Sequence, residues 1–113
     1  MTALKKKSET CEEQLRRMCK NIADSITNPV DNSEHGEDAS VASWMDGVYD
    51  IEWITNRDHS YKAARLMVAG GGPTIWVNLL GNTVDGYWWG DHCKVSFEDN
   101  IGLDEYLEDL HAC

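Results

Sequence analysis

The sequence contains no long apolar run. A helix needs about 20 apolar residues to cross a bilayer, and none of the apolar runs is close to that length. Lys5, Lys6 and Lys7 stand near the amino terminus, but no apolar segment follows them, so the pattern of a secretory signal is missing as well. The four cysteines are widely scattered and form no Cys-x-x-Cys motif. In a chain without a secretory signal, this usage predicts reduced thiols and a cytoplasmic protein.

Basic residues are scarce, since ten Lys and Arg stand against twenty Asp and Glu and the formal net charge is −10. The charges are also segregated. Residues 1–20 hold six basic and three acidic residues, a net of +3, whereas residues 21–113 hold four and seventeen, a net of −13. A negative field of that size opposes direct binding of nucleic acid and favours a basic protein partner. The alternative is that the acidity only keeps the protein soluble.

The strongest structural signal is a segment in which apolar runs alternate with turn residues, LMVAGGGPTIWVNLLGNTVDGYWWG, at 66–90. Apolar, β-branched and aromatic runs of this length, punctuated by Gly and Pro, predict antiparallel strands joined by tight turns. The same pattern extends to both sides of the segment. It predicts four strands at 49–55, 61–69, 74–80 and 84–89, and a short fifth strand at 92–97.

Helical spacing precedes the predicted sheet. Apolar residues recur every three or four positions over about 8–27, which predicts an amphipathic helix. Thr10 and Glu13 are placed for a capping box, with Ser8 as an earlier candidate start. Asn28 stands before a proline and is therefore expected to end the helix.

Two shorter helices are predicted from the same spacing. One contains Trp44, which is expected to insert against the sheet, and it is capped by Asp38 or Ser40 and ended by Gly47. The last helix follows Asp99, which is placed to cap it. Its apolar stripe consists of Leu103, Tyr106, Leu107 and Leu110.

The predicted fold class is α+β, a four- to five-stranded antiparallel meander sheet with N-terminal and C-terminal helices packed on it. With 113 residues, of which 42% are hydrophobic and 27% charged, the chain is long enough for one folded domain. That single domain is predicted over 8–113, with a basic flexible tail at 1–7 and an acidic loop at 28–38.

Because side chains alternate along a strand, the two faces of the predicted sheet can be separated. One face is apolar enough to form the core, and we assign to it Tyr49, Ile51, Trp53, Leu66, Val68, Ile75, Val77, Leu79, Val84 and Trp88. The opposite face mixes large aromatic residues with carboxylates, a composition typical of interface hot spots. A homodimer seam and cover by the first helix are the alternatives. We predict a partner-binding site made of Asp50, Glu52, Trp76, Asp85, Tyr87, Trp89 and Asp91.

A second group of carboxylates surrounds the last helix. Such an array can stand in for phosphates and occupy a basic nucleic-acid channel on another protein. The alternative is an ordinary solvated helix face, with acids suited to the first turn of the helix. The members of this secondary acidic patch are Glu98, Asp99, Asp104, Glu105, Glu108 and Asp109.

The sequence predicts no catalytic residues, no metal site and no cofactor. The glycines at 70–72 lead into a predicted strand, whereas a phosphate loop leads into a helix. His92-Cys93 and His111-Ala112-Cys113 match no compact zinc motif and have no residue placed to orient a Cys-His pair. We therefore predict a binding protein, not an enzyme.

Four short segments carry a resemblance to a known group of proteins: DIEW at 50–53, RLMVAGGGPTIWV at 65–77, GYWWGD at 86–91 and LDEYLEDL at 103–110. These segments resemble small acidic proteins carried by plasmids, phages and conjugative elements of Gram-positive bacteria. Within that group, the chain is similar to anti-CRISPR proteins that inhibit type II-A Cas9. The resemblance implies a non-enzymatic protein that binds Cas9 and blocks guide-RNA loading or DNA engagement. The alternative is an immunity or regulatory protein that neutralises a cognate basic toxin or regulator.

Overall fold

A computed structural model describes residues 10–29 and 41–113 of the chain. The described residues form an α+β fold with one antiparallel sheet, in which the five strands lie side by side in chain order, and this confirms the predicted fold class. None of the described helices is long and apolar enough to cross a bilayer. The helices are α1 (Cys11–Thr27), α2 (Val41–Met45) and α3 (Leu103–Ala112), and the strands are β1 (Asp50–Thr55), β2 (Tyr61–Ala69), β3 (Thr74–Asn78), β4 (Thr83–Trp88) and β5 (Asp91–Ser96).

The first helix begins at the predicted capping box. The Thr10 hydroxyl accepts the N–H of Glu13 at 3.1 Å, and the Glu13 carboxylate accepts the N–H of Thr10 at 3.0 Å. The helix ends at Thr27, as the proline two residues later requires. The predicted start at Ser8, the tail at 1–7, the loop residues 30–38 and the caps Asp38 and Ser40 lie outside the described residues.

The register of the strands places the apolar side chains on one face. Leu66 pairs with Val77, and Val77 pairs with Val84, and all three are fully buried. Helix α1 packs across β4 and β5, and α3 packs across β2. Leu15 and Cys19 of α1 meet this face of the sheet at Gly86, which defines it as the side that the helices cover. The core therefore lies between the helices and a single face of the sheet.

Several assignments to the apolar parts of the chain are wrong. Trp53 was predicted to lie in the core but is 39% exposed, and Leu80, predicted to end the third strand, lies in the turn after it. Tyr49 was predicted to lie in the core, but it is 74% exposed: its backbone N–H donates to the Met67 carbonyl oxygen of β2 at 2.8 Å, while its side chain remains in solvent. Leu110, predicted to belong to the apolar stripe of α3, is 42% exposed near the end of the helix. Trp89, predicted as the last residue of the fourth strand, lies in the turn after it.

Candidate functional site

Helices α1 and α3 pack on one face of the sheet, and the opposite face carries most of the predicted partner-binding residues. The strand register aligns them, since Glu52 pairs with Arg65, Met67 with Trp76, and Trp76 with Asp85. We call this surface the open face. It consists of Asp50, Glu52, Arg65, Met67, Trp76, Asn78, Asp85, Tyr87, His92 and Lys94.

The carboxylate of Glu52 has a partner within the chain. The Arg65 Nη1 atom donates to the Glu52 Oε1 atom, and the Arg65 guanidinium lies 4.4 Å from the centroid of the Trp76 ring. The ion pair is partly exposed and contributes about 0–1 kcal/mol, and the cation–π contact about 0.5–1 kcal/mol. Glu52, a predicted partner-binding residue, therefore has its charge neutralised by Arg65 within the chain.

Asp85 is buried, which corrects its predicted role as an exposed part of the acidic field. The residue is 6% exposed, and within the described part of the chain its Oδ1 atom has no hydrogen-bond partner. Strand β4 has a strand on each side, and Trp76 and Lys94 stand directly opposite Asp85 on those strands. A buried acceptor without a donor costs about 1–3 kcal/mol, so this oxygen is destabilising as it stands.

Tyr87 and His92 form an aromatic pair at the end of the β4–β5 hairpin. The two residues pair across the strands, and their rings stack with centroids 4.8 Å apart and planes inclined by 17°. Tyr87 remains 44% exposed. The pair therefore presents a rigid aromatic surface to the solvent on the open face.

Trp89 stands in the two-residue link between Trp88 and Asp91. Its side chain is 86% exposed, and its backbone φ of 56° lies in the left-handed region. That conformation costs an ordinary L-residue about 1–2 kcal/mol and is uncommon for a bulky one. Because the exposed indole gains little burial in exchange, Trp89 is a strained residue whose side chain is available to another molecule.

The secondary acidic patch divides into bonded and free carboxylates. Asp99 caps α3, since its carboxylate accepts the N–H groups of Gly102, Leu103 and Asp104 at 2.8–3.0 Å. Asp104 accepts the Tyr61 hydroxyl at 2.8 Å, and burial together with this hydrogen bond raises the pKa of Tyr61. The remaining members are exposed, and their carboxylates form no ion pair within residues 10–29 and 41–113: Glu98, Glu105, Glu108 and Asp109.

The two His–Cys segments lie in different parts of the molecule. His92 stacks on Tyr87 on the open face, whereas His111 of α3 packs against Trp53 with ring centroids 5.2 Å apart. Over the described residues no group of three His, Cys, Asp or Glu side chains is placed to hold a metal ion. Burial and the neighbouring Cys93 raise the pKa of Cys19 to about 12, which makes this thiol a poor nucleophile.

Five members of the open face were absent from the predicted site: Arg65, Met67, Asn78, His92 and Lys94. His92 and Lys94 could have been predicted from the sequence. A two-residue turn at 89–90 pairs position 92 with Tyr87, and alternation along the strand then places position 94 on the same face. Comparison of the chain with protein-family models, with curated proteins and with solved structures gave no match. The chemistry of the residues is therefore the basis for assigning a function.

Proposed function

We propose that this protein is a non-enzymatic acidic inhibitor that binds a basic, nucleic-acid-handling effector, a type II-A Cas9, and blocks guide-RNA loading or DNA engagement. The observation that carries the proposal is Trp89. A large aromatic side chain that is 86% exposed, on a strained backbone, gains little from burial in the free protein. Tryptophan is among the residues most enriched in interface hot spots, so a protein partner is its natural environment.

The charge of the molecule supports the same kind of partner. A net charge of −10 steers the protein toward positive surfaces and raises the rate of encounter at low salt. The guide and target channels of Cas9-type effectors are positively charged. Asp50 on the open face and the free carboxylates of α3 supply the long-range attraction, and the exposed aromatic residues supply the desolvated contacts. The resemblance of the four segments to anti-CRISPR inhibitors points to the same effector.

The test is DNA cleavage by purified type II-A Cas9, with this protein added either before or after the guide RNA. Inhibition only when the protein is added first supports competition for the guide channel, and equal inhibition in both orders places the block at DNA engagement. Trp89→Asn is expected to weaken inhibition about 30-fold or more, because a hot-spot residue contributes about 2 kcal/mol or more.

Leu80→Asn is the matched control, since Leu80 is also an exposed apolar residue in a turn of the sheet and is expected to leave inhibition unchanged. Equal inhibition by the wild type and Trp89→Asn would contradict the role of Trp89. No inhibition of any of several Cas9 enzymes would overturn the Cas9 assignment. A pull-down with the neighbouring basic gene products would then address the cognate toxin or regulator.

A further inference from the structure

The open face contains one complete carboxylate–guanidinium–indole arrangement and one that lacks its guanidinium. In the complete one, Arg65 pairs with Glu52 and lies 4.4 Å from the centroid of the Trp76 ring. On the other side of Trp76 stands Asp85, its direct partner in the register of β3 and β4. The Asp85 carboxylate therefore has the same indole beside it, but no Lys or Arg of residues 10–29 and 41–113 forms an ion pair with it.

We propose that the Asp85 carboxylate, with Trp76 and Tyr87 beside it, receives an arginine side chain of the protein partner. The inference rests on the proposed function in taking that partner to be a basic protein. Its independent support is the Oδ1 atom of Asp85, which is buried and has no donor within residues 10–29 and 41–113. A carboxylate oxygen accepts hydrogen bonds, so the group that is missing beside Oδ1 is a donor.

Arginine fits this position better than lysine does. Its planar guanidinium stacks on aromatic rings while it donates in the ring plane, and it is less strongly hydrated than an ammonium group, so it enters a dry site more readily. Trp76 already holds one guanidinium in this way, which shows that the surface accommodates the geometry. Tyr87 is two residues from Asp85 on the same face and offers a second ring, which His92 holds in place by stacking.

Lys94 is the internal competitor for Asp85. It stands directly opposite Asp85 on β5, yet its side chain is exposed and forms no ion pair with any residue of the described chain. If the Lys94 ammonium group paired with the Asp85 carboxylate in solution, an arginine of the partner would have to displace Lys94. Lys94→Met removes this competitor and retains the length of the side chain.

The experiment is a titration of the ¹⁵N-labelled protein with a blocked Gly-Arg-Gly tripeptide, followed by the amide signals and the Trp76 indole N–H signal. Gly-Lys-Gly and the uncharged Gly-citrulline-Gly are the control peptides. Saturable shifts are expected at Trp76, Asp85 and Tyr87 with the arginine peptide. The lysine peptide is expected to bind less tightly, and the citrulline peptide is expected to produce no saturable shift.

Asp85→Asn is expected to weaken binding of the arginine peptide at least tenfold. Asp46→Asn, which removes the same charge from an exposed turn after α2, is expected to leave it unchanged. Tyr87→Leu provides a second variant at an exposed position, in case Asp85→Asn does not fold, and is also expected to weaken binding. Lys94→Met is expected to bind the peptide as well as the wild type does, or more tightly.

Equal binding of the arginine peptide by Asp85→Asn and Asp46→Asn would overturn the inference. Signal shifts spread over the exposed carboxylates, without saturation at Trp76, Asp85 and Tyr87, would also overturn it. Weaker binding in Lys94→Met would also count against it, because Lys94 would then be part of the site. The peptide titration does not use Cas9. If the arginine peptide does not bind but Cas9 cleavage is still inhibited, only the proposed arginine site is rejected. If the peptide binds but Cas9 is not inhibited, only the assignment of Cas9 as the partner is rejected.

Discussion

The Sγ atom of Cys19 lies 2.5 Å from the point at which a Cβ atom on Gly86 would stand. The Cδ1 atom of Leu15 lies 2.9 Å from the same point, and real Cβ contacts are essentially never this short. Helix α1 can lie this close to β4 only because position 86 has no side chain. The packing of the first helix on the sheet therefore depends on a glycine in the interior of a strand.

Gly86→Ala is expected to destabilise the protein by about 1–3 kcal/mol, because the added methyl group overpacks the contact with Leu15 and Cys19. The measurement is urea denaturation followed by circular dichroism. Gly81→Ala is the control, since a Cβ atom there meets nothing within 4 Å, and it is expected to change the free energy of unfolding little. Similar stabilities for the two variants would contradict the proposed contact.

The sequence predicted those features of the fold that depend on local spacing. The capping box of Thr10 and Glu13 and the alternation that separates Trp76 from Val77 were both predicted, because each follows from the period of a single element. The side of the sheet that α1 covers could not be assigned, because nothing in the spacing of a helix or a strand specifies which faces meet.

The membership of the candidate site was predicted only in part, and its environment was not. Trp89 lies in a turn, and Asp91 was wrongly assigned, because it pairs with Trp88 and is in phase with the buried Cys93 on the face that the helices cover. Alternation placed Glu52, Trp76, Asp85 and Tyr87 on one face, as the structure has them. The neutralisation of Glu52 by Arg65 and the burial of Asp85 depend on which residues stand opposite each other across strands, and one strand alone does not contain this information. The strain at Trp89 depends on a turn conformation for which Trp is an unusual residue.

The four cysteines are expected to separate into two classes toward iodoacetamide. Cys11 and Cys113 are exposed and should react rapidly, whereas Cys19 and Cys93 are buried. At pH 8, a thiol with a pKa raised to about 12 is ionised in only about one molecule in ten thousand, and the thiolate is the reactive form. Mass spectrometry of the native protein should show two rapid additions, and the protein in urea should show four. A third rapid addition to the native protein would contradict the packing of α1 on β5.

Tyr61→Phe tests the hydrogen bond between β2 and α3. Loss of the 2.8 Å bond to Asp104 is expected to destabilise the protein by about 0.5–1.5 kcal/mol at neutral pH. Because the folded-state pKa of Tyr61 is raised above its ordinary value of 10.0, the unfolded chain loses this proton first as the pH rises. The protonated Tyr61 hydroxyl therefore contributes its full stabilisation below pH 10, and this stabilisation declines above pH 10. The difference in the free energy of unfolding between the wild type and Tyr61→Phe should narrow above pH 10.

Urea denaturation of both proteins from pH 7 to pH 11 measures that narrowing. Tyr49→Phe is the control, since Tyr49 is 74% exposed, and its stability is expected to follow the wild type at every pH. A constant difference between the wild type and Tyr61→Phe across the range would show that Asp104 does not hold the Tyr61 proton.

Trp89→Asn is expected to separate stability from function. Asparagine tolerates the left-handed region better than tryptophan does, so the change at φ 56° should stabilise the free protein by about 1 kcal/mol. The same change removes the exposed indole and should weaken binding to the partner. Thermal unfolding measures the first effect, and the cleavage assay measures the second. A fall in the melting temperature would show that the indole packs against its own protein, and the hot-spot interpretation of Trp89 would then fail.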